Sequence, residues 1–230
     1  MEIAESYRAR FAEKGVAYFI NSKKDKGIYD GMNNGIELAT GDYVYFLNAG
    51  DWFYSNDVIE QIVKKAKEEN SPDVIYGNVA TVERRIVTVK RGSENNLTKH
   101  MTMGHQAVFV ASQCAKNRKF DLKYRITADY NMVLGLKLAN ASFSHIDLTI
   151  AYFVMGGVST VRPKKYLKEL FEVHRSNGIK HSFLTRTRLV IGGYKTAIVY
   201  ALSSIVPSRL RQWYNVKLKK KQICQIKNLD

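Results

Sequence analysis

Two short runs, residues 43–47 (YVYFL) and the centre of residues 73–77 (DVIYG), constrain the fold of this chain more than any other feature, because neither alternates with polar residues. A strand apolar on both sides is covered on both faces, as in a sheet packed between helices. Between the runs, Asp57 and Glu60 have capping-box spacing, and Val58, Ile59, Ile62, Val63 and Ala66 form one helical stripe behind them. A further helix is expected over residues 29–39, where Met32, Ile36 and Ala39 recur at helical spacing before Gly41 ends it. The same reasoning predicts a helix over 5–14, a strand over 16–20, a hairpin around 79–89 and a strand at 107–110. A helix follows from Asp129 to 138, then one or two strands within 142–154. Alternating strands and helices define an α/β class: a Rossmann-like, mostly parallel sheet flanked by helices, with a later antiparallel excursion.

At 230 residues the chain can bury one substantial core, and 45% hydrophobic content argues against disorder. Cys114 and Cys224 are far apart and belong to no ligand cluster, which favours a reducing cytoplasm over a disulfide framework. The polar N-terminal residues lack the apolar core of a secretion signal.

The net charge of +15 is unevenly placed: residues 1–160 hold 20 Lys+Arg against 18 Asp+Glu, and residues 161–230 hold 16 against 3. Two parts are therefore expected, a nearly neutral domain over 1–160 and a basic helical tail over 161–230. Residues 189–206 are apolar but interrupted by Lys195, with Arg186 and Arg188 before and Arg209, Arg211 and Lys219, Lys220 and Lys221 after. A central Lys costs about 2.5–3.5 kcal/mol on insertion scales, so spanning a bilayer is disfavoured. Two readings stand: interfacial binding to anionic lipid, with Trp213 and Tyr214 at headgroup depth, or a helix packed on the body with a solvated face. Charge without a nucleic-acid-binding motif gives no specific nucleic-acid partner.

The run at 43–47 leads straight into Asp51. That carboxylate is either a metal or phosphate ligand at the carboxyl end of a strand or a plain turn cap. Asp129, at a helix start, reads as a general base or as an N-cap.

The ordered series 25–53 (DKGIYDGMNNGIELATGDYVYFLNAGDWF), DVIYGN, GHQAVF, ITADYNMVLGL and GGVS resembles an inverting family 2 glycosyltransferase of GT-A fold, of the kind that builds bacterial surface polysaccharides. The resemblance implies a nucleotide-sugar donor, with Mg2+ or Mn2+ to neutralise its diphosphate leaving group, and a glycan or lipid-linked saccharide acceptor. It places Asp51 as metal ligand; the family's Asp-x-Asp-Asp positions are here Asn48, Ala49, Gly50 and Asp51. It makes Asp129 the catalytic base, with Ala128 where the family has Glu. Donor contacts fall on Asp25, Lys26, Gly27, Asp30, Asn33 and Asn48, with Met32 in place of a common Arg, and on Gly156, Gly157 and Ser159 in a loop over the diphosphate. His105 and Gln106 fall on the acceptor side. The Gln-x-x-Arg-Trp motif of processive synthases is absent, which implies single-sugar transfer.

Family members begin with a strand, a helix and a second strand that bind the base and ribose, so this chain is expected to be N-terminally truncated. Two functions remain: a transferase at the cytoplasmic face of a bacterial membrane, or a catalytically impaired remnant acting only through membrane or partner contacts.

Overall fold

The computed structural model describes residues 1–83, 86–154, 162–205, 210 and 222–223. Helices α1 (Glu2–Ser6) and α2 (Arg8–Glu13) replace the single helix expected over 5–14. The strand expected over 16–20 makes no ladder: Val16 and Phe19 are exposed, and the Val16 N–H donates back to the Phe11 carbonyl at the end of α2 rather than to a neighbouring strand. Helix α3 (Ile28–Leu38) leads to β1 (Tyr43–Tyr45) and β2 (Trp52–Phe53), then α4 (Val58–Glu68). Asp57 is the N-cap residue of α4, but no capping-box bond forms, because its carboxylate accepts from the Ser55 hydroxyl and the Gln61 amide instead. Val58, Ile62 and Ala66 are buried, whereas Ile59 and Val63 are exposed, so the stripe is narrower than its composition.

The second apolar run and the first half of the hairpin are one strand, β3 (Val74–Glu83), followed by β4 (Ile86–Lys90). A 3-10 turn (His105–Ala107) precedes β5 (Val108–Ala111) and α5 (Ser112–Arg118); then come α6 (Ala128–Leu138) and β6 (Phe143–Val154), one strand of twelve residues. Helices α7 (Pro163–Ser176) and α8 (Phe183–Ile205) and the short β7 (Gln222–Ile223) complete the described elements.

β3 is the hub of the sheet. One edge pairs in parallel with β6; the other pairs antiparallel with β5 over Val74 to Tyr76 and with β4 over Val79 to Glu83. β1 joins β5, β2 joins β6 and β7 joins β4, all antiparallel. The sheet is therefore mixed among the described residues, with its parallel character concentrated in the long β3–β6 ladder. At Gly77 a Cβ would fall 2.6 Å from the Leu148 carbonyl oxygen, at the break in that ladder's register, so the strand carries glycine there.

Period-two alternation sends neighbouring residues into two cores. Val74, Tyr76, Val108 and Val110 face a cluster with Met32, Ile36, Leu134 and Leu170, whereas Ile75 and Phe109 face Val58, Ile62 and Ile150. Helices thus cover both faces, which accounts for strands apolar on both sides. Leu167, Leu170 and Val173 of α7 belong to the first cluster. Within the expected basic tail over 161–230, α7 therefore packs against the body, as one of the two readings of that tail has it. Among the described residues, no helix is long and apolar enough to cross a membrane.

Candidate active site

The 3-10 turn His105–Ala107 runs directly into β5, whose ladders to β1 and β3 fix its direction. Its two adjacent side chains reach two different carboxylates. Gln106 is buried, and its Nε2 donates to Asp51 Oδ2 at 3.1 Å. His105 places Nδ1 3.5 Å from Asp129 Oδ2, while Asn48 Nδ2 lies 2.9 Å from its Nε2. With the Asn48 amide donating, Nε2 accepts and the ring proton sits on Nδ1, facing Asp129. Tyr45, at the end of β1, donates its hydroxyl to the Gln106 carbonyl at 2.8 Å.

Thr127, not Asp129, is the N-cap residue of α6; Asp129 lies in the first turn. Its Oδ1 accepts the Tyr130 N–H at 2.8 Å and the Tyr29 hydroxyl at 3.1 Å, a hydroxyl that also lies 3.0 Å from the Ile126 carbonyl oxygen. Burial raises the Tyr29 phenol far above its ordinary pKa, and the Asp129 carboxylate adds to that, so Tyr29 stays a donor. Tyr166 of α7 is pushed up to about 12, first by burial and then by Asp129.

Two contributors escaped the sequence reading. Tyr29 shares a helix face with buried Met32 and Ile36, and a hydroxyl on an apolar face needs a partner. Glu169, on the face of α7 that carries Leu170 and Val173, is buried. Its Oε2 accepts the backbone N–H groups of Arg125, Ile126 and Thr127 at 3.0, 2.8 and 3.2 Å. A carboxylate there satisfies donors at the start of α6 and complements the helix dipole. An acid within an apolar stripe was the available signal.

The donor-side residues form a tight turn before α3. Gly27 N–H donates to Asp25 Oδ1 at 3.0 Å, and Lys26 N–H donates to Asp30 Oδ2 at 2.9 Å. Gly27 has φ +135°, a conformation that favours glycine, and a Cβ there would sit 3.0 Å from Arg125 Nη1. Arg125 donates to the Lys26 carbonyl at 2.5 Å, tying this turn to the loop before α6. The Asn33 amide donates to the Phe120 carbonyl at 2.9 Å and accepts the Phe120 N–H at 2.8 Å. Gln106, expected on the acceptor side, lies against Asp51. Gly156, Gly157 and Ser159 lie outside the described residues.

Burial raises the Asp51 pKa above the ordinary carboxylate value, while the Gln106 hydrogen bond and His105 pull it back. Among the described residues no three His, Cys, Asp or Glu side chains group to hold a metal. Asp51 fits the minority arrangement in which Mg2+ takes one carboxylate, substrate phosphates and water. A partly desolvated carboxylate gains from a cation beside it.

The fold, a sheet covered by helices on both faces, is that of a GT-A domain. Structures of S. aureus TarS 1–349, alone and in complex with UDP-GlcNAc, superpose with TM-scores of 0.54 and 0.55 at 14% and 13% identity. Each covers 94% of this chain, which spans 61% and 63% of theirs. The family model described as Glycosyl transferase family 2 matches residues 1–125, and the chain belongs to that family of transferase enzymes. A PGL/p-HBAD biosynthesis glycosyltransferase of Mycobacterium bovis is 27% identical over 179 residues, 74% of this chain and 67% of that protein. Chondroitin synthase of Escherichia coli is 26% identical over 180 residues, 76% of this chain and 25% of that protein.

Proposed function

We propose that this chain transfers a sugar from a nucleotide-sugar donor to a glycan or lipid-linked saccharide acceptor, with inversion, in the assembly of a bacterial cell-surface polysaccharide or glycolipid. The observation that supports this reading is the turn His105–Gln106, whose neighbouring side chains reach Asp129 and Asp51 respectively. Asp129 accepts the proton of the attacking acceptor hydroxyl, with Tyr29 and His105 fixing its carboxylate. Asp51, steadied by Gln106, would hold Mg2+ or Mn2+, which when bound neutralises charge on the departing diphosphate. The turn of Asp25, Lys26, Gly27 and Asp30, with Asn48, borders the donor. The UDP-GlcNAc bound to TarS supports a nucleotide-sugar donor, and similarity to a PGL/p-HBAD biosynthesis glycosyltransferase and to a chondroitin synthase supports a glycan or glycolipid product.

The same reading places the protein at the cytoplasmic face of an anionic membrane. Its support is α8, which exposes Phe183, Leu184, Ile191, Ile198 and Leu202 while Gly193 packs on Leu167. Trp213, Tyr214, Lys219, Lys220 and Lys221 lie outside the described residues.

The test is donor turnover with UDP-, GDP- and dTDP-sugars in Mg2+ or Mn2+, with NMR of the product's anomeric configuration. Expected is turnover of one donor with inversion, and at least a tenfold rise in the metal concentration needed by Asp51→Asn. No turnover or binding of any nucleotide sugar, or a retained anomeric configuration, overturns the proposal.

A further inference from the structure

Away from the two carboxylates, a cleft of about 770 Å³ opens between α7 and the start of α8. Lys168, Arg175, Lys180 and Arg186 stand around it with His181, against one acid, Glu172. None of the four cations pairs with a carboxylate among the described residues. Like charges gathered without counter-ions repel one another, so an anion placed among them is stabilised. The walls are also apolar: Phe171 and Ile179 line the cleft, and the Arg186 guanidinium lies over the Phe171 ring at 5.0 Å. In the chain between His181 and Arg186, which both line the cleft, Phe183 and Leu184 are 81% and 67% exposed.

Cations at a cleft with bare apolar side chains beside it fit a ligand that is anionic at one end and apolar at the other. We propose that this cleft binds the phosphate headgroup of a lipid, with Arg175, Lys180, Lys168 and Arg186 around the phosphate and the acyl or prenyl chain lying along Phe183 and Leu184. A free phosphate would use the cations but leave those apolar side chains in water, which favours the lipid as occupant.

The cleft is not isolated from the carboxylates. His181 Nε2 lies 3.0 Å from His174 Nδ1, His174 Nε2 lies 3.0 Å from the Tyr130 hydroxyl, and that hydroxyl donates to the Leu97 carbonyl at 2.8 Å. One proton arrangement satisfies the whole chain, with His181 donating to His174 and His174 to Tyr130. Since Tyr130 follows Asp129, a lipid held in the cleft stands in fixed relation to that carboxylate. The pKa of His181 is lowered first by burial and then by Arg186 and Lys99.

The proposal deepens the membrane part of the proposed function and does not depend on transfer chemistry. The test is flotation of the full chain with phosphatidylcholine vesicles with and without phosphatidylglycerol, together with titration by inorganic phosphate and glycerol phosphate. Arg175→Gln/Lys180→Gln and Lys168→Gln/Arg186→Gln remove two exposed charges at the cleft; Lys64→Gln/Lys67→Gln removes two on α4. Expected is binding to phosphatidylglycerol vesicles that each cleft pair weakens by on the order of tenfold, while the α4 pair leaves it unchanged. Equal weakening by all three pairs means bulk charge and overturns the cleft while leaving membrane attachment standing. No vesicle binding, or binding of free phosphates alone, overturns the lipid assignment. Donor turnover, measured separately, is untouched by any of these outcomes.

Discussion

His105 holds its Nδ1 3.5 Å from Asp129 Oδ2 while its other ring nitrogen is taken by Asn48 at 2.9 Å. An imidazole anchored at one nitrogen can orient a carboxylate at the other without leaving its tautomer. Asp129→Asn keeps the shape and hydrogen-bonding size of the side chain but removes its basicity. A 10²–10⁴-fold loss of kcat is expected, the usual worth of a positioned base, with an unchanged melting temperature. His105→Gln is expected to fall between that variant and the parent. Steady-state transfer assays and thermal melts check both, and a fully active Asp129→Asn moves the base elsewhere.

Tyr29 bears on the same carboxylate from the opposite chemistry. Its hydroxyl lies 3.1 Å from Asp129 Oδ1 and 3.0 Å from the Ile126 carbonyl, so it holds the carboxylate against the loop before α6. Tyr29→Phe removes that tether while keeping the ring against Phe120. A fall in kcat on the order of tenfold is expected, with donor KM and the melting temperature little changed, because a misaligned base costs turnover more than binding. Unchanged kcat assigns Tyr29 to packing alone.

Glu169 acts one step further back, by accepting three backbone N–H groups of the loop that presents Asp129. Glu169→Gln keeps the shape but substitutes a neutral acceptor and adds donors with no partner in that nest. A loss of about 1–3 kcal/mol is expected, the cost of unsatisfied buried polar groups. As a positioning residue, Glu169 is expected to lower kcat with little change in donor KM. Urea unfolding and the kcat-against-KM split distinguish this from a purely structural role, which would spare kcat in the folded fraction.

Local pattern revealed the elements that carry the site, because period-two and helical spacing depend only on neighbours in the chain. The apolar run at 43–47 supplies β1 over Tyr43–Tyr45, and Asp129 lies in the first turn of α6. What stayed hidden was partnership across the chain. Asn33 bonds the Phe120 backbone through both of its polar atoms, and the Gln106 amide reaches Asp51, partners that lie 87 and 55 residues away in the chain. Charge counting likewise says nothing of the apolar side of α7, whose Leu167, Leu170 and Val173 enter the body's core while its Lys and Arg are exposed. The run at 16–20 shows the converse, a strand-like composition with no edge to join.

His174 sets the acid limit of the fold. It is buried beside Tyr130 and His181, and its pKa falls to about 4, first from burial and then from His181 and His100 nearby. The unfolded chain, with an ordinary value near 6.5, takes up this proton first as pH drops. Stability from neutral His174 is therefore complete above about pH 6.5 and lost as pH falls toward 4, by up to about 3 kcal/mol. His100, His145 and His181 are lowered too and add in the same direction. Asp51, raised by burial, works against them, and Asp73, held low by Ser142, contributes only below this window. Urea midpoints at pH 7.0, 5.5 and 4.5 are expected to fall steadily. His174→Gln, which can still donate to Tyr130 but cannot be protonated, is expected to be less stable at pH 7.0 and to lose less between pH 6.5 and 4.5. Parallel pH profiles for the variant and the parent would remove His174 as the cause.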